Sequence, residues 1–559
     1  MPRPREGNYD ATVATRIVEE LSHSGVSVVY GVPGGQNLAI VEAIRRSDSV
    51  QFVATHHELA AVGAAEGHFR ATGELGVALV TTGPGVTHAM SGIAGAFCDG
   101  SAVLLMSCQN PRAYLDAPDA QAANHWALLS SCVKTSVLVA DSGSVTRVLR
   151  DVVRQALTGR PGPTHVDFPR DLLDASCPEV AGSDHVGDRP QVLRAGVAAG
   201  LAGEAAQLLY EAHRPVIWAG AGVRQDQSVA SLRVFAERYG IPVVTTFSGI
   251  GLLDWECDVF FGPATSHGTR LGNGLLDEAD VVFALGQSLS SASTGRWRRR
   301  LPRLIHSDVD VRTLGRFYRT DVKMWGFASD VLDATDRALA TLGPPVLRTA
   351  WLAQLGERKA RWSADMDAYE GVVSGAGMHP LALMRAIERE MGPGSVLVSD
   401  AGNAGIWSHT LRLCHDVLYL KPVDYGQMGF AVPAAIGAAR ALPKRPVTAI
   451  VGDGSMGMGI ADIETAVREG LRIAVVVMND AGYANIRQAQ GERGLPAYGV
   501  SFGSVSYAAA GAAFGAHDVA AASPDEVAAA LRRHWARSST VSVIDARVDP
   551  GPSVRDGLF

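Results

Sequence analysis

Six cysteines in 559 residues, none in a Cys-x-x-Cys pair, give this chain neither a disulfide framework nor a structural zinc site. Scattered at Cys98, Cys108, Cys132, Cys177, Cys257 and Cys414, they suit reduced thiols, and a cytoplasmic protein is expected. No apolar run approaches the roughly 18 residues of a membrane helix, so no membrane partner is expected. The opening "MPRPREGNYD" has no apolar segment behind it, so no signal peptide is expected. Positive charge is not in excess: the net charge of −7 argues against nucleic acid as the main partner. A dinucleotide fingerprint is missing too. "AGAGVRQ" (Ala219 to Gln225) lacks the third glycine of G-x-G-x-x-G and the acidic residue about twenty positions on, which excludes an NAD-linked dehydrogenase.

What is present is a soluble-type composition, 47% hydrophobic and 19% charged, over a length that suits three or four domains. Helix and strand signals alternate from about Tyr9 to Ala175, again from Val192 to Leu342, and again from Met378 to Pro550. The polar, Gly- and Pro-rich "CPEVAGSDHVGDRPQ" (Cys177 to Gln191) reads as a linker. "GPPVLRTAW" to "GVVSGAG" reads as a connecting helix and loop. Three such units form a coarse architectural repeat without repetition of sequence.

The most informative stretch is "VGDGSMGMGIADIETAVREGLRIAVVVMNDAGYAN", Val451 to Asn485. "VTAIVG" and "RIAVVVM" are short, apolar and β-branched, which predicts buried strands. Ile460, Ile463 and Val467 recur at helical spacing, with Gly470 as a stop signal. Strand, helix, strand makes a βαβ unit with parallel strands, so Asp453 and Asp480, twenty-seven positions apart, leave the same sheet edge. Two carboxylates are hard oxygen ligands for Mg2+, which completes its octahedron with phosphate oxygens and water. Gly454 and Ser455 let the backbone approach an anion where a helix begins. The stretch thus reads as a Mg–diphosphate site. The alternative is an ordinary Asp-Gly turn followed by an exposed Asn-Asp turn.

This stretch resembles the cofactor signature of thiamine diphosphate enzymes, and other motifs agree in order along the chain. "THHELAAVGAAEGHFR" (Thr55 to Arg70) is similar to their His-Glu-x-Ala segment, "TTGPGVTHAMSGIAGAFCDGSAVLL" to their Gly-Pro-Gly segment, and "DYGQMGFAVPAAIGAARA" to their Gly-x-Met-Gly segment. "HGTRLGNGLLDEADVVFALG" resembles the middle domain of the acetolactate synthase group. The chain is therefore identified as acetolactate synthase-like, within the 2-oxo acid decarboxylase and carboligase superfamily. The resemblance implies an α/β fold class of three doubly wound parallel-sheet domains. These are an aminopyrimidine-binding domain (1–176), a central domain (192–342) and a diphosphate- and Mg-binding domain (370–559).

Residue by residue, the resemblance assigns Glu58 to the carboxyl group that hydrogen-bonds the aminopyrimidine and promotes its imino tautomer. Met428 matches the apolar prop that keeps the cofactor bent, and Gly426 the residue whose carbonyl meets the aminopyrimidine amine. Asp453, Asp480 and the carbonyl of Gly482 match the Mg2+ ligands, with Asp480 replacing the usual Asn. Gly402 and Asn403 fall at the diphosphate, with Ala404 where the synthases often have His. Gly34 and Gly35 match a loop beside the cofactor. Gln121 matches a substrate-facing glutamine, and Asn124 and His125 lie close by. A neutral amide or imidazole there could hydrogen-bond a developing oxyanion; the alternative is that His125 and Trp126 pack a loop. His56, His57 and His88 are candidates for lining the pocket, or for purely structural places.

Two departures bear on the reaction. The anabolic synthases carry a Trp where this chain has Ala489, and an Arg in a "GARFDDRVTG"-like stretch where this chain has Ala292 in "GQSLSSASTG" (Gly286 to Gly295). The latter stretch helps hold a non-redox FAD, so its loss argues against FAD. The expected reaction is thiamine diphosphate- and Mg2+-dependent decarboxylation of a 2-oxo acid with carboligation to a second carbonyl compound, not anabolic acetolactate synthesis itself. The alternative is simple decarboxylation to an aldehyde. The resemblance further implies a homodimer or homotetramer with active sites between subunits.

Overall fold

The computed structural model describes residues 12–115, 117–177, 194, 196–537 and 540–553. The expected linker lies outside these residues from position 178 onward. The chain forms two compact units. The first draws on the chain before residue 194, with Val432–Pro443 and Gly459–Leu471; the second holds the remainder.

The first unit is built on six strands: β1 (Val28–Gly31), β2 (Gln51–Ala54), β3 (Gly76–Val80), β4 (Val103–Gln109), β5 (Ser136–Leu138) and β6 (Thr164–Pro169). They run parallel in the order β2-β1-β3-β4-β6-β5. β3 is an unbroken apolar run and β4 opens with one, Val103–Met106, because helices cover both faces of a parallel sheet, and every residue of both strands is buried. Ile17, Val29, Leu79, Leu104, Val152 and Phe168 form the core. β1 and β3 are neighbours while β2 lies on the far side of β1, so the strand order reverses between β1 and β3. A crevice at the C-terminal ends of such strands is where ligands bind. The loops from Gly31 and from Val80 open there.

The helix Glu58–Thr72 of this unit meets the helix Ala431–Ala441, whose residues from Val432 belong to the same unit. The two touch through glycines. A Cβ on Gly437 would stand 1.9 Å from the Ala64 carbonyl oxygen, and one on Gly67 would stand 2.2 Å from that of Ala434.

The second unit holds two further sheets. One comprises β7 (Pro215–Ala219), β8 (Val243–Thr245), β9 (Phe260–Pro263), β10 (Val281–Leu285), β11 (Leu304–Asp308) and β12 (Val322–Trp325), in the order β12-β11-β10-β7-β8-β9. The other comprises β13 (Val396–Ser399), β14 (Leu418–Leu420), β15 (Val447–Gly452), β16 (Ile473–Asn479), β17 (His517–Ala521) and β18 (Val541–Arg547), in the order β14-β13-β15-β16-β18-β17. All pairings are parallel. The last sheet repeats the order of the first position for position, so its reversal falls between β13 and β15. The three doubly wound parallel sheets are those the sequence implied. The connecting helix runs from Thr349 to Asp367. Among the described residues no helix is long and apolar enough to cross a membrane, and none of the six cysteines is in a disulfide.

Candidate active site

In the second unit, β15 and β16 pair in register up to Gly452 opposite Met478, which brings the residues that follow to one edge. Asp453 starts the helix Asp453–Gly459 directly from β15, although this segment carries three glycines. Its Oδ1 accepts the N–H of Gly454 at 2.8 Å and its Oδ2 accepts the N–H of Gly482 at 2.9 Å. Burial pushes its carboxyl up from the ordinary range. Asp480 is raised to about 7, by burial first and then by the charge of Asp453. Its Oδ1 is buried and has no hydrogen-bond partner. A divalent cation between two such carboxylates would remove the repulsion and satisfy the orphaned oxygen, so the donor set fits Mg2+.

The neighbouring strand end contributes a group that the sequence analysis passed over. Asp400, fully buried after β13, accepts the N–H groups of Ala401 (2.8 Å), Gly429 (3.1 Å) and Ala431 (2.8 Å). It also takes a hydrogen bond from Ser455. It thereby ties the Gly426–Met428 turn, in which Gly426 has a φ of 66°, to the helix that carries Gly454 and Ser455. The signal was available: Asp400 stands after a buried strand and before a Gly-containing turn, as Asp453 does. A Cβ on Gly454 would lie 2.5 Å from the Tyr483 ring and 3.3 Å from Met428 Cε, so Met428 and the helix start close on each other. Asn403 opens the helix Asn403–Trp407 behind Gly402, whose φ is 71°. The Oδ1 of Asn403 and the Oε1 of Gln427 are buried without a partner. These unsatisfied acceptors leave room for a donor-bearing ligand. Arg487 is a further addition: a Cβ on Gly482 would stand 2.5 Å from its Nη2, and its charge works on both Asp453 and Asp480.

In the first unit, Glu58 is the first residue of its helix and only 7% exposed. His57 caps that helix, its Nδ1 accepting from Leu59 N at 3.0 Å. His88 Nδ1 lies 3.1 Å from Glu58 Oε2, and the His57 and His88 rings stack with centroids 4.9 Å apart. The structure therefore brings His57 and His88 to Glu58. His56 is engaged elsewhere: its N–H donates to Asp462 and its Nε2 is 2.8 Å from Glu464 Oε2. Gly34 donates its N–H to Asn37 Oδ1 at 2.8 Å and leaves no space for a Cβ against Thr81, whereas Gly35 borders open space. Thr81 donates to Gln36 Oε1, and Gln36 Nε2 donates to Gln121 Oε1 at 3.4 Å. Gln121 is exposed and has a φ of 60°.

Asn124 spends its side-chain oxygen on capping the helix His125–Leu129. His125 is 1% exposed with both ring nitrogens engaged. Nδ1 is 2.9 Å from Asp167 Oδ2, and Nε2 accepts the N–H of Gly83 at 2.9 Å. Burial works against the ionised form of Asp167, but the interactions with His125 first, then with His165 and Ser107, outweigh it and hold the carboxyl below its usual range. The neighbouring His165 is pushed down to about 4 by burial.

The three modules of the chain match three family descriptions. Residues 11–129 match the thiamine pyrophosphate enzyme N-terminal TPP binding domain, 202–335 the central domain, and 400–546 the C-terminal TPP binding domain. The chain is similar to the acetolactate synthase large subunit of Parasynechococcus marenigrum, with 30% identity over 85% of this chain and 77% of that protein. It is 30% identical to the acetolactate synthase large subunit of Corynebacterium glutamicum over 86% of this chain and 76% of that one. The acetolactate synthase of Arthrospira platensis is 29% identical over 86% and 84%. With its three parallel sheets and these relatives, the chain belongs to the thiamine pyrophosphate enzymes of the acetolactate synthase-like group.

Proposed function

We propose that this enzyme decarboxylates a 2-oxo acid with thiamine diphosphate and Mg2+ and joins the resulting fragment to a second carbonyl compound. The observation that carries the reading is the carboxylate pair at the β15–β16 edge: Asp453 is buried, and the half-buried Asp480 has a buried, unsatisfied Oδ1. Asp453, Asp480 and the Gly482 carbonyl would hold the metal, and Gly402, Asn403, Gly454 and Ser455 the diphosphate. Gly426 and Met428 would hold the aminopyrimidine end of the cofactor in the second unit, and Gly34 and Gly35 would border a cofactor from the first unit of a second copy. When bound, the cofactor supplies the nucleophilic carbon and the electron sink for decarboxylation. Glu58 keeps a buried carboxyl group that would hydrogen-bond the aminopyrimidine and could hold or give up a proton there. His88 fixes the carboxyl through its 3.1 Å contact. Gln121, whose oxygen accepts from Gln36, would have its amide N–H groups left for a substrate oxygen.

Anabolic acetolactate synthesis is not the reading favoured here. Ala489 leaves space where the synthases place Trp, which suits a bulkier donor or acceptor. FAD is left out of the proposal, because Ala292 lacks the guanidinium that the resemblance places at this position. The site is completed by a second copy of the chain. In support, the second unit exposes Tyr425, Met458, Ile486 and Tyr498, and the first exposes Leu38 and Trp126. A homodimer or homotetramer in the cytoplasm follows from this reading.

The test is a carbon dioxide-release screen over a panel of 2-oxo acids, with thiamine diphosphate and Mg2+, followed by mass spectrometry of the products. A hydroxyketone formed only when a second carbonyl compound is present is the expected result. Release of an aldehyde with no new carbon–carbon bond for any acceptor would leave simple decarboxylation.

A further inference from the structure

His125 has its imidazole closed off from the open face of the first unit, yet it sits between the sheet and two segments of the site. Its Nδ1 faces Asp167 Oδ2 at 2.9 Å, so Nδ1 carries the ring proton. Nε2 is then a bare acceptor, and it takes the Gly83 N–H at 2.9 Å. Asp167 is itself fixed. It lies on β6 opposite Ser107 of β4, whose hydroxyl donates to Asp167 Oδ1 at 2.6 Å and is 2.7 Å from His165 Nε2.

Gly83 is where two site segments meet. It precedes the helix Pro84–Asp99, which carries His88 to Glu58, and its φ of 55° favours glycine. A Cβ there would stand 2.2 Å from the carbonyl oxygen of Gln121, so the loop bearing Gln121 rests directly on Gly83. The rest of that loop is pinned from the end of β4: Gln109 Nε2 donates to Ala123 O at 2.9 Å and Asn110 Nδ2 to Ala120 O at 3.0 Å. The Gly83 junction depends instead on the side chain of His125.

We propose that His125, oriented by Asp167, is a positioning residue that locks Gly83 and thereby the loop presenting Gln121 to the substrate. The part concerning substrate rests on the function proposed above. The lock itself does not, and the test separates them.

Two conservative variants divide the two hydrogen bonds. His125→Asn keeps a donor at the δ position for Asp167 but does not reach Gly83. His125→Gln carries an oxygen at the ε position and can accept from Gly83 while giving up Asp167. Amide hydrogen exchange followed by mass spectrometry is read on residues 81–87 and 117–124 of the full-length protein, beside kcat and KM. His125→Asn is expected to exchange at least tenfold faster in both segments and to lose at least tenfold in kcat/KM. His125→Gln keeps the acceptor for Gly83 but leaves Asp167 Oδ2 without its donor, so it is expected to show the smaller loss of the two in both readouts, with protection of residues 81–87 and 117–124 brought back toward that of the parent. Unchanged protection in His125→Asn, equal losses in the two variants, or exchange that rises uniformly over β3, β4 and β6 would each overturn the proposal. If the parent protein turns over no 2-oxo acid, the function reading fails, and the exchange comparison still decides the lock.

Discussion

The N–H of Gly482 donates to Asp453 Oδ2 across 2.9 Å, so the backbone after β16 is bonded to the carboxylate that follows β15. This bond sets Asp480 beside Asp453 and explains why its carboxyl is raised to about 7, by burial and then by its neighbour's charge. A carboxyl with a folded value above its unfolded value of about 3.9 binds a proton in the folded state that the unfolded state has lost. Without metal, the stability due to Asp480 is therefore present below about pH 4 and lost as the pH rises toward 7. Mg2+ must displace that proton, so apparent Mg2+ affinity is expected to rise by up to about tenfold per pH unit below 7 and to level above it. Titration calorimetry with thiamine diphosphate and Mg2+ between pH 5.5 and 8 reads this slope. Asp480→Asn should flatten it, and Asp480→Ala should lose metal and cofactor together. A slope identical in Asp480→Asn and the parent would remove Asp480 from the metal site.

Glu58 offers a second test. Glutamine at this position keeps the length of the side chain and can still accept from His88, so the fold should be preserved. It cannot take up or release a proton. Glu58→Gln is expected to bind thiamine diphosphate within a few-fold of the parent and to lose about 100-fold or more in turnover. Turnover unchanged within twofold would refute the role given to this carboxyl.

The parts of the site read from the sequence are those in which chemistry follows directly from chain order. Asp453 and Asp480 were legible because a βαβ unit has one handedness and one open edge, so two strand ends fix two residues. Glu58 was legible only through resemblance, since a lone Glu at a helix start has many structural uses. Contacts set by tertiary packing were not legible. His125 opens a short helix whose local sequence says nothing of Asp167 on β6 or of Gly83 after β3, and its two hydrogen bonds depend on β3, β4 and β6 lying side by side in the sheet. His56 was grouped with His57 as its chain neighbour, yet Asp462 and Glu464, some four hundred positions away, hold it. Gly454 was read for close backbone approach to an anion and Gly470 as a helix stop, whereas Gly437 and Gly67 serve close helix contact, which no local pattern encodes.

Asp400 carries a structural load at the site. Replacing it with Ala would strip the acceptor from three N–H groups, two of them on the stretch that follows Met428. Each buried donor left unpaired costs about 1–3 kcal/mol, and the losses are not additive. Asp400→Ala is expected to lower stability by about 3–5 kcal/mol in urea unfolding and to weaken thiamine diphosphate binding. Asp400→Asn, which retains one acceptor oxygen, should fall between. A stable Asp400→Ala protein with unaltered cofactor affinity would show that the Gly426–Met428 turn holds without it.

The two kinds of helical glycine in this chain should respond to alanine with opposite sign. Gly203, inside the helix Ala199–Glu211, has nothing within 4 Å of where a Cβ would be built. Alanine there removes the backbone entropy cost of glycine and should stabilise by up to about 1 kcal/mol. Gly437 gains the same propensity term, but its Cβ would stand 1.9 Å from the Ala64 carbonyl oxygen, a backbone atom on the helix that begins with Glu58. That oxygen cannot turn aside as a side chain would, so the helices must separate, and overpacking of this kind costs about 1–3 kcal/mol or more. Gly437→Ala is expected to lower the unfolding free energy by about 2 kcal/mol and, by shifting the helix that carries Glu58, to reduce turnover as well. Thermal and urea unfolding of the two variants read both signs. Equal and favourable shifts for Gly203→Ala and Gly437→Ala would mean that the close crossing of these helices is not a feature of the folded protein.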